Sequence, residues 1–199
     1  MAKKHYGEQF RYTNEILIPY LRKHIDFITV VDVGCGEGGS LKAFNENGYK
    51  PKGLEIAKDR IMDNNIIHGD ATVSIPKADL IIMRDVIEHI ENKKKLLNNV
   101  KSKYLFITFP PKCSTYAAHQ QNYSYWKYIP YANLFKKFEV MTTALSIKRF
   151  EKLTRDDYKV IDKQFYLFRP VFKIRFGLPV VRIPKLFFAT GAEFLLEKL

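Results

Sequence analysis

The stretch Phe27-Ile28-Thr29-Val30-Val31-Asp32-Val33 constrains this chain more than any other, because it runs directly into Gly34-Cys35-Gly36-Glu37-Gly38-Gly39. β-Branched and almost free of charge, it reads as a buried strand of the kind found in parallel sheets. The glycines allow a tight turn at its carboxyl end and let the backbone come within contact distance of a ligand. A helix over Leu41 to Asn47 follows, with Ser40 placed to cap it and Gly48 to stop it. Its first N–H groups would point at the same ligand.

The rest of the first half repeats that alternation. Thr13 to His24 has helical spacing, with Ile16, Leu17, Tyr20 and Leu21 on one stripe. Further strands are expected at Lys52–Ile56, Ile66–Asp70, Ala78–Met83 and Tyr104–Phe109. A short helix should lie near Asp59 to Asn64. A longer one should cover Val86 to Val100, with Lys93, Lys94 and Lys95 on its wet face. Strands and helices alternating at this spacing imply right-handed crossovers and a doubly wound parallel sheet. Beyond residue 111 the pattern changes, and most of the 15 Phe and 12 Tyr stand there. Tyr123 to Phe138 reads as loop and helix, Leu145 to Asp157 as helix, Tyr158 to Phe168 as a sixth strand and Ala192 to Lys198 as a last one.

Composition narrows the class. With 199 residues, 46% hydrophobic and 27% charged, the chain suits one globular α/β domain. Its only cysteines are Cys35 and Cys113, too few for a disulfide framework, which fits a reducing cytoplasm. No secretory signal and no transmembrane run is expected. The net charge of +12 favours anionic partners without saying which.

In open α/β sheets ligands sit at the carboxyl ends of the strands, near the switch in strand order. Glu55 ends the second strand 21 residues after Gly34. A carboxylate there can accept hydrogen bonds from two adjacent ribose hydroxyls. Loop and carboxylate together therefore specify a ribose-bearing ligand. Gly34, Gly36 and Gly39 also satisfy the dinucleotide pattern G-x-G-x-x-G, so a nicotinamide enzyme has to be weighed. Against it, Asp32 would repel a pyrophosphate, and the chain leaves little room for a separate substrate domain. Tyr123-x-x-x-Lys127 looks like the short-chain dehydrogenase pair, but those enzymes space their glycines differently.

Val31-Asp32-Val33-Gly34-Cys35-Gly36-Glu37-Gly38-Gly39 resembles motif I of the class I S-adenosylmethionine-dependent methyltransferases. Gly53-Leu54-Glu55-Ile56 resembles their acidic second-strand motif and Gly69-Asp70-Ala71 their third-strand motif. Asp85-Val86-Ile87-Glu88-His89-Ile90 is similar to the fourth-strand motif of the ubiquinone-biosynthesis-like branch. Phe109-Pro110-Pro111 and Ala118-His119-Gln120 look like a subgroup placed with glycan or lipid modification. The resemblance implies a Rossmann-like methyltransferase fold: a mostly parallel seven-stranded sheet, helices on both faces and an antiparallel last strand. Residues 1–111 would form the cofactor half and 112–199 the substrate half.

It also implies a cofactor, S-adenosyl-L-methionine, with S-adenosyl-L-homocysteine as product. Asp32 and the backbone of Gly34, Cys35, Gly36 and Gly38 would hold the methionyl part. Glu55 would take the ribose and Ile56 one adenine face. Asp70 would meet the adenine amino group, with the Ala71 backbone beside it. Arg84 would place its backbone near the methionyl end. No metal ligand is assigned.

Methyl transfer to a hydroxyl needs a proton acceptor, and His119 is the candidate base; it reads equally as a substrate contact or plain surface. His89 is the second candidate, beside a packing role. Cys35 reads as buried packing. From Lys163 to Ala192 six Lys or Arg and many aromatics occur with no acid. That segment reads as a lid or insertion over the cavity, as a dock for an acidic lipid or lipid-linked sugar, or as a nucleic-acid surface. The expected activity is methyl transfer to an anionic small-molecule, glycan or lipid-linked acceptor, with peripheral contact to an anionic membrane. An RNA methyltransferase and a non-catalytic cofactor-binding module stay open beside it.

Overall fold

A computed structural model describes residues 2–111, 145–168, 170, 173–174, 177, 179–183 and 191–199. The strands are β1 (Thr29–Val33), β2 (Lys50–Glu55), β3 (Ile66–His68), β4 (Leu80–Arg84), β5 (Tyr104–Phe109), β6 (Tyr158–Phe168), β7 (Val181–Ile183) and β8 (Gly191–Lys198). They form one sheet in the order β3-β2-β1-β4-β5-β8-β6-β7. Strands β1 to β5 pair in parallel. β8 inserts antiparallel between β5 and β6, so the last strand is antiparallel as expected. The eighth strand is β7, a three-residue edge piece pairing with β6 inside the segment expected to be a lid.

The described helices are α1 (Ala2–Tyr12), α2 (Ile18–Arg22), α3 (Gly39–Glu46), α4 (Lys93–Asn98) and α5 (Ile147–Thr154). None is long and apolar enough to cross a membrane. Strand residues alternate between the two faces of the sheet. Val31, Val33, Ile81, Met83, Leu105, Ile107, Phe194 and Leu196 face α4 and α5, meeting Leu96, Leu97, Ile147 and Phe150. Val30, Leu80, Ile82, Phe106 and Leu195 face the other way, onto Tyr12, Leu17, Ile18, Leu21 and Phe44. Both faces are thus covered, as a parallel sheet requires.

Four local expectations are corrected. The first helix begins at Ala2, well before the expected Thr13, and passes through a π turn at Thr13–Leu17, where Ile18 N–H donates to Thr13 carbonyl. Pro19 stands in the first turn of α2. It has no N–H to donate and its ring would crowd the carbonyl four residues back, and the wider turn before it gives room. The second helix is capped by Gly38, in left-handed backbone with φ +85°, and not by Ser40, which lies inside α3. The expected helix near Asp59 to Asn64 is only a 3₁₀ turn at Lys58–Arg60.

Fourth, Val86 to Val100 is broken. A 3₁₀ turn at Ile87–His89 gives way to extended backbone at Ile90. Asn92 then starts α4 by accepting Lys95 N–H on its side chain. Lys93 is buried, with its ammonium donating to Ile90 carbonyl at 2.6 Å. Burial pushes that ammonium below its usual value. Lys94 and Lys95 stay exposed as expected.

Two close approaches fix the layers to each other. A Cβ at Gly39 would overlap the backbone oxygen of Tyr6, so α1 lies directly on the first turn of α3. At the other edge, Asp79 Oδ2 accepts Ile28 N–H at 3.0 Å and Thr29 N–H at 2.8 Å, and Thr29 Oγ1 accepts Asp79 N–H at 2.8 Å. These bonds set β1 against β4. Those from Thr29 and Ile28 hold the Asp79 carboxyl below its ordinary value.

A carboxyl depressed in the folded state contributes stability above its unfolded value and loses it as pH falls through the folded one. Asp79→Ala is therefore expected to lower stability by about 1 kcal/mol at neutral pH. Urea unfolding should show the gap to the unsubstituted protein closing below pH ~4. A gap independent of pH would contradict the bond pattern.

Candidate cofactor site

The switch in strand order lies between β1 and β4, whose chains leave the sheet in opposite directions, to β2 and to β5. Residues 34–38 cross that opening. Gly34, Gly36 and Gly38 have φ of +71°, +57° and +85°. Side chains rarely adopt such backbone. A Cβ at Gly34 would also stand 2.6 Å from Val86 Cγ2. The loop is closed by Gly34 N–H donating to Leu54 carbonyl at 2.8 Å and Gly38 N–H to Cys35 carbonyl at 3.2 Å.

Glu55 is brought to this loop as the sequence predicts. Its carboxylate is buried, at 5% exposure. Oε2 accepts Gly36 N–H at 2.8 Å and Oε1 accepts Ala57 N–H at 2.9 Å. One charged group therefore joins the glycine turn to the end of β2. A carboxylate has about four lone-pair sites, so each oxygen keeps capacity for another donor. Ile56 next to it is 65% exposed, a large apolar side chain standing in the open.

Asp32 lies at the base of the loop, 1% exposed. Its Oδ2 accepts from Ser40 Oγ, and from Arg84 Nη2 at 3.2 Å. Arg84 ends β4, with its guanidinium carbon 5.4 Å from the centre of the Tyr12 ring. The side chain, and not only the backbone, thus belongs to this site. Asp70 begins a turn beyond β3, where Oδ1 accepts Thr72 N–H at 2.7 Å and its carbonyl accepts Val73 N–H. Ala71 is buried and its carbonyl accepts from Asn99 Nδ2 at 2.9 Å.

Cys35 is wholly buried, and a Cβ at Gly53 would overlap its sulfur. Burial pushes the thiol well above its usual value, with the charges of Asp32 and Glu55 adding to the effect. His119, Cys113, Tyr123 and Lys127 lie outside the described residues, as do residues 169, 171–172, 175–176, 178 and 184–190 of the basic aromatic segment. Among the described residues no group of three His, Cys, Asp or Glu could hold a metal.

Three polar residues beside Arg84 carry no sequence signal. Arg84, Thr108, Glu193 and Gln164 are register partners across β4, β5, β8 and β6. They sit one step above the apolar row Ile82, Phe106 and Leu195, and on the same face. Buried Glu193 accepts from Tyr12 hydroxyl at 3.3 Å and Tyr166 hydroxyl at 2.9 Å. Burial, then the Glu193 charge, raises the Tyr166 phenol above its usual value. Only the pairing of β8 could have revealed the row, and that pairing is long-range.

Comparison with known proteins agrees with this geometry. A family model described as a methyltransferase domain matches residues 6–149. No curated protein matches in sequence. The fold is similar to the plantazolicin methyltransferase BpumL in complex with SAH, at 15% identity and TM-score 0.64, covering 100% of this chain and 89% of that one. It is also similar to a SAM-dependent methyltransferase and possible histamine N-methyltransferase from Thermotoga maritima, at 16% identity, TM-score 0.63 and coverage of 99% and 95%. A SAM-dependent methyltransferase from Archaeoglobus fulgidus gives 17% identity, TM-score 0.57 and coverage of 98% and 99%.

The burial of Cys35 makes a direct prediction. In a Cys113→Ser background, the remaining thiol should stay unreactive toward a disulfide reagent at pH 8 in folded protein. It should react within seconds once guanidinium unfolds the chain. Rapid labelling of folded protein would contradict the packing against Gly53.

Proposed function

The chain belongs to the methyltransferase-domain family, and we propose that it binds S-adenosylmethionine in the Gly34–Gly38 loop and transfers the methyl group to an anionic acceptor. The observation that carries this reading is Glu55. Its two oxygens are held by Gly36 and Ala57 N–H groups and keep lone pairs for a pair of vicinal hydroxyls. That is the ribose demand, met at the end of the second strand.

The residues fit the cofactor group by group. Glu55 would take the ribose hydroxyls and exposed Ile56 would cover an adenine face. Asp70 would accept from the adenine amino group beside Ala71. Asp32 would pair with the tail ammonium, and the Gly34, Cys35, Gly36 and Gly38 backbone would follow the methionyl chain. The cofactor, when bound, supplies a methyl carbon activated by its neighbouring sulfonium. What remains for the protein is to align the acceptor, to exclude water and to take up a proton where the acceptor atom carries one. Alignment alone is worth about 7–11 kcal/mol in favourable model reactions. A general base adds about 10²- to 10⁴-fold, and His119 is assigned that role.

The acceptor is read as a small molecule, a glycan or a lipid-linked compound bearing negative charge. The chain's +12 supports the sign. Histamine, the possible acceptor of one structural neighbour, supports the size, although not the charge. Residues 112–199 are assigned to acceptor binding within the same domain as the cofactor half.

Titration calorimetry with S-adenosylhomocysteine tests the cofactor half of this reading. The unsubstituted protein should bind it, and Glu55→Ala should weaken binding by about 10- to 100-fold, the worth of one or two hydrogen bonds to a charged group. Unaltered affinity in Glu55→Ala would overturn the reading. Incubation with methyl-labelled cofactor and separate pools of acidic lipids, glycans and RNA should place label outside the RNA pool. Label in RNA alone would replace the acceptor assignment.

A further inference from the structure

The family resemblance implies that the Arg84 backbone lies near the methionyl end of the cofactor, and the structure brings the Arg84 side chain against Asp32. An amino-acid tail is a zwitterion, with its ammonium and carboxylate attached to one carbon. A site complementary to it needs an anion and a cation equally close together. Asp32 and Arg84 form such a pair, Oδ2 to Nη2 at 3.2 Å, on adjacent strands at the carboxyl edge of the sheet. Their side chains are 1% and 16% exposed, so the pair acts in a poorly solvated setting.

Neither ion is saturated by the other. Ser40 and Arg84 both bond to Oδ2 of Asp32, and neither reaches Oδ1. Arg84 has five N–H donors, and its Nε is buried with no hydrogen-bond partner. A buried donor left unpaired is costly, so a ligand able to accept from it gains that cost back. The Tyr12 ring faces the guanidinium at 5.4 Å, which fixes the side chain beneath α1 without consuming any of its N–H groups. A planar fork with free donors matches a carboxylate.

We propose that the Arg84 side chain recognises the carboxylate of the cofactor's amino-acid tail, with Asp32 taking the ammonium, so that this ion pair is the chain's selector for an intact amino acid. The inference rests on the cofactor reading given above. It makes Arg84 a specificity residue for the tail and assigns it no part in moving the methyl group. Were the tail held by backbone alone, Arg84 would only neutralise Asp32, and its removal would act alike on ligands with and without a carboxylate.

The test compares three ligands by calorimetry: S-adenosylhomocysteine, its decarboxylated amine and 5′-methylthioadenosine, which lacks the tail. Arg84→Met should weaken S-adenosylhomocysteine by about 10- to 100-fold. The decarboxylated amine should bind unchanged or tighter, because Asp32 then has no competing cation. Methylthioadenosine should change by less than about 3-fold, which also checks that the nucleoside site has survived. Arg84→Lys keeps the charge but loses the fork, and should show a smaller loss confined to S-adenosylhomocysteine. The role of Arg84 is overturned if Arg84→Met keeps the original preference for the carboxylate-bearing ligand. It is equally overturned if all three ligands weaken alike in protein whose melting is unaltered. Failure of the unsubstituted protein to bind S-adenosylhomocysteine at all would instead remove the cofactor reading itself.

Discussion

One buried carboxylate holds the site in shape. Glu55 reaches from the end of β2 to the N–H of Gly36 and to that of Ala57, at 5% exposure. An ionised group so placed would be strongly unfavourable without such donors, and the donors would be unsatisfied without it. The glycine turn therefore has its conformation imposed from a neighbouring strand as well as from its own sequence. Everything else at the opening is arranged around that turn: Asp32 below it, Cys35 packed behind it against Gly53, and α3 leaving from Gly38.

The division of the sheet into two faces explains why the polar groups gather where they do. Val30, Ile82, Phe106 and Leu195 lie over α1 and α2 in an apolar layer. Two residues further toward the carboxyl edge, the same face carries Asp32, Arg84, Thr108 and Glu193. Tyr12, at the end of α1, touches both Arg84 and Glu193 on this rim. The helix can lie so low because Gly39 presents no side chain to the backbone of Tyr6. A single missing Cβ thus joins the amino-terminal helix to the ion pair.

Much of this is legible in the sequence, and the exceptions share a cause. The β-branched run before the glycines and the spacing to Glu55 depend on neighbours within about 25 residues, and the structure places them as read. The strands that follow alternate with helices closely enough to imply a doubly wound parallel sheet. A serine at a helix start looks the same in sequence whether its hydroxyl meets a backbone N–H or, as that of Ser40 does, an aspartate on the preceding strand. Three successive lysines show no periodicity, and burial of Lys93 depends on a break at Ile90 that no local pattern marks. The Tyr12–Glu193 contact joins residues 181 apart and leaves no local trace. His119 lies outside the described residues.

The central place of β8 bears on how the protein assembles during synthesis. Its residues 191–198 lie between β5 and β6, not at an edge, so the sheet cannot be completed until they have emerged from the ribosome. Until then β5 offers an open hydrogen-bonding edge lined with Phe106, Ile107 and Phe109, the kind of strand that recruits other chains.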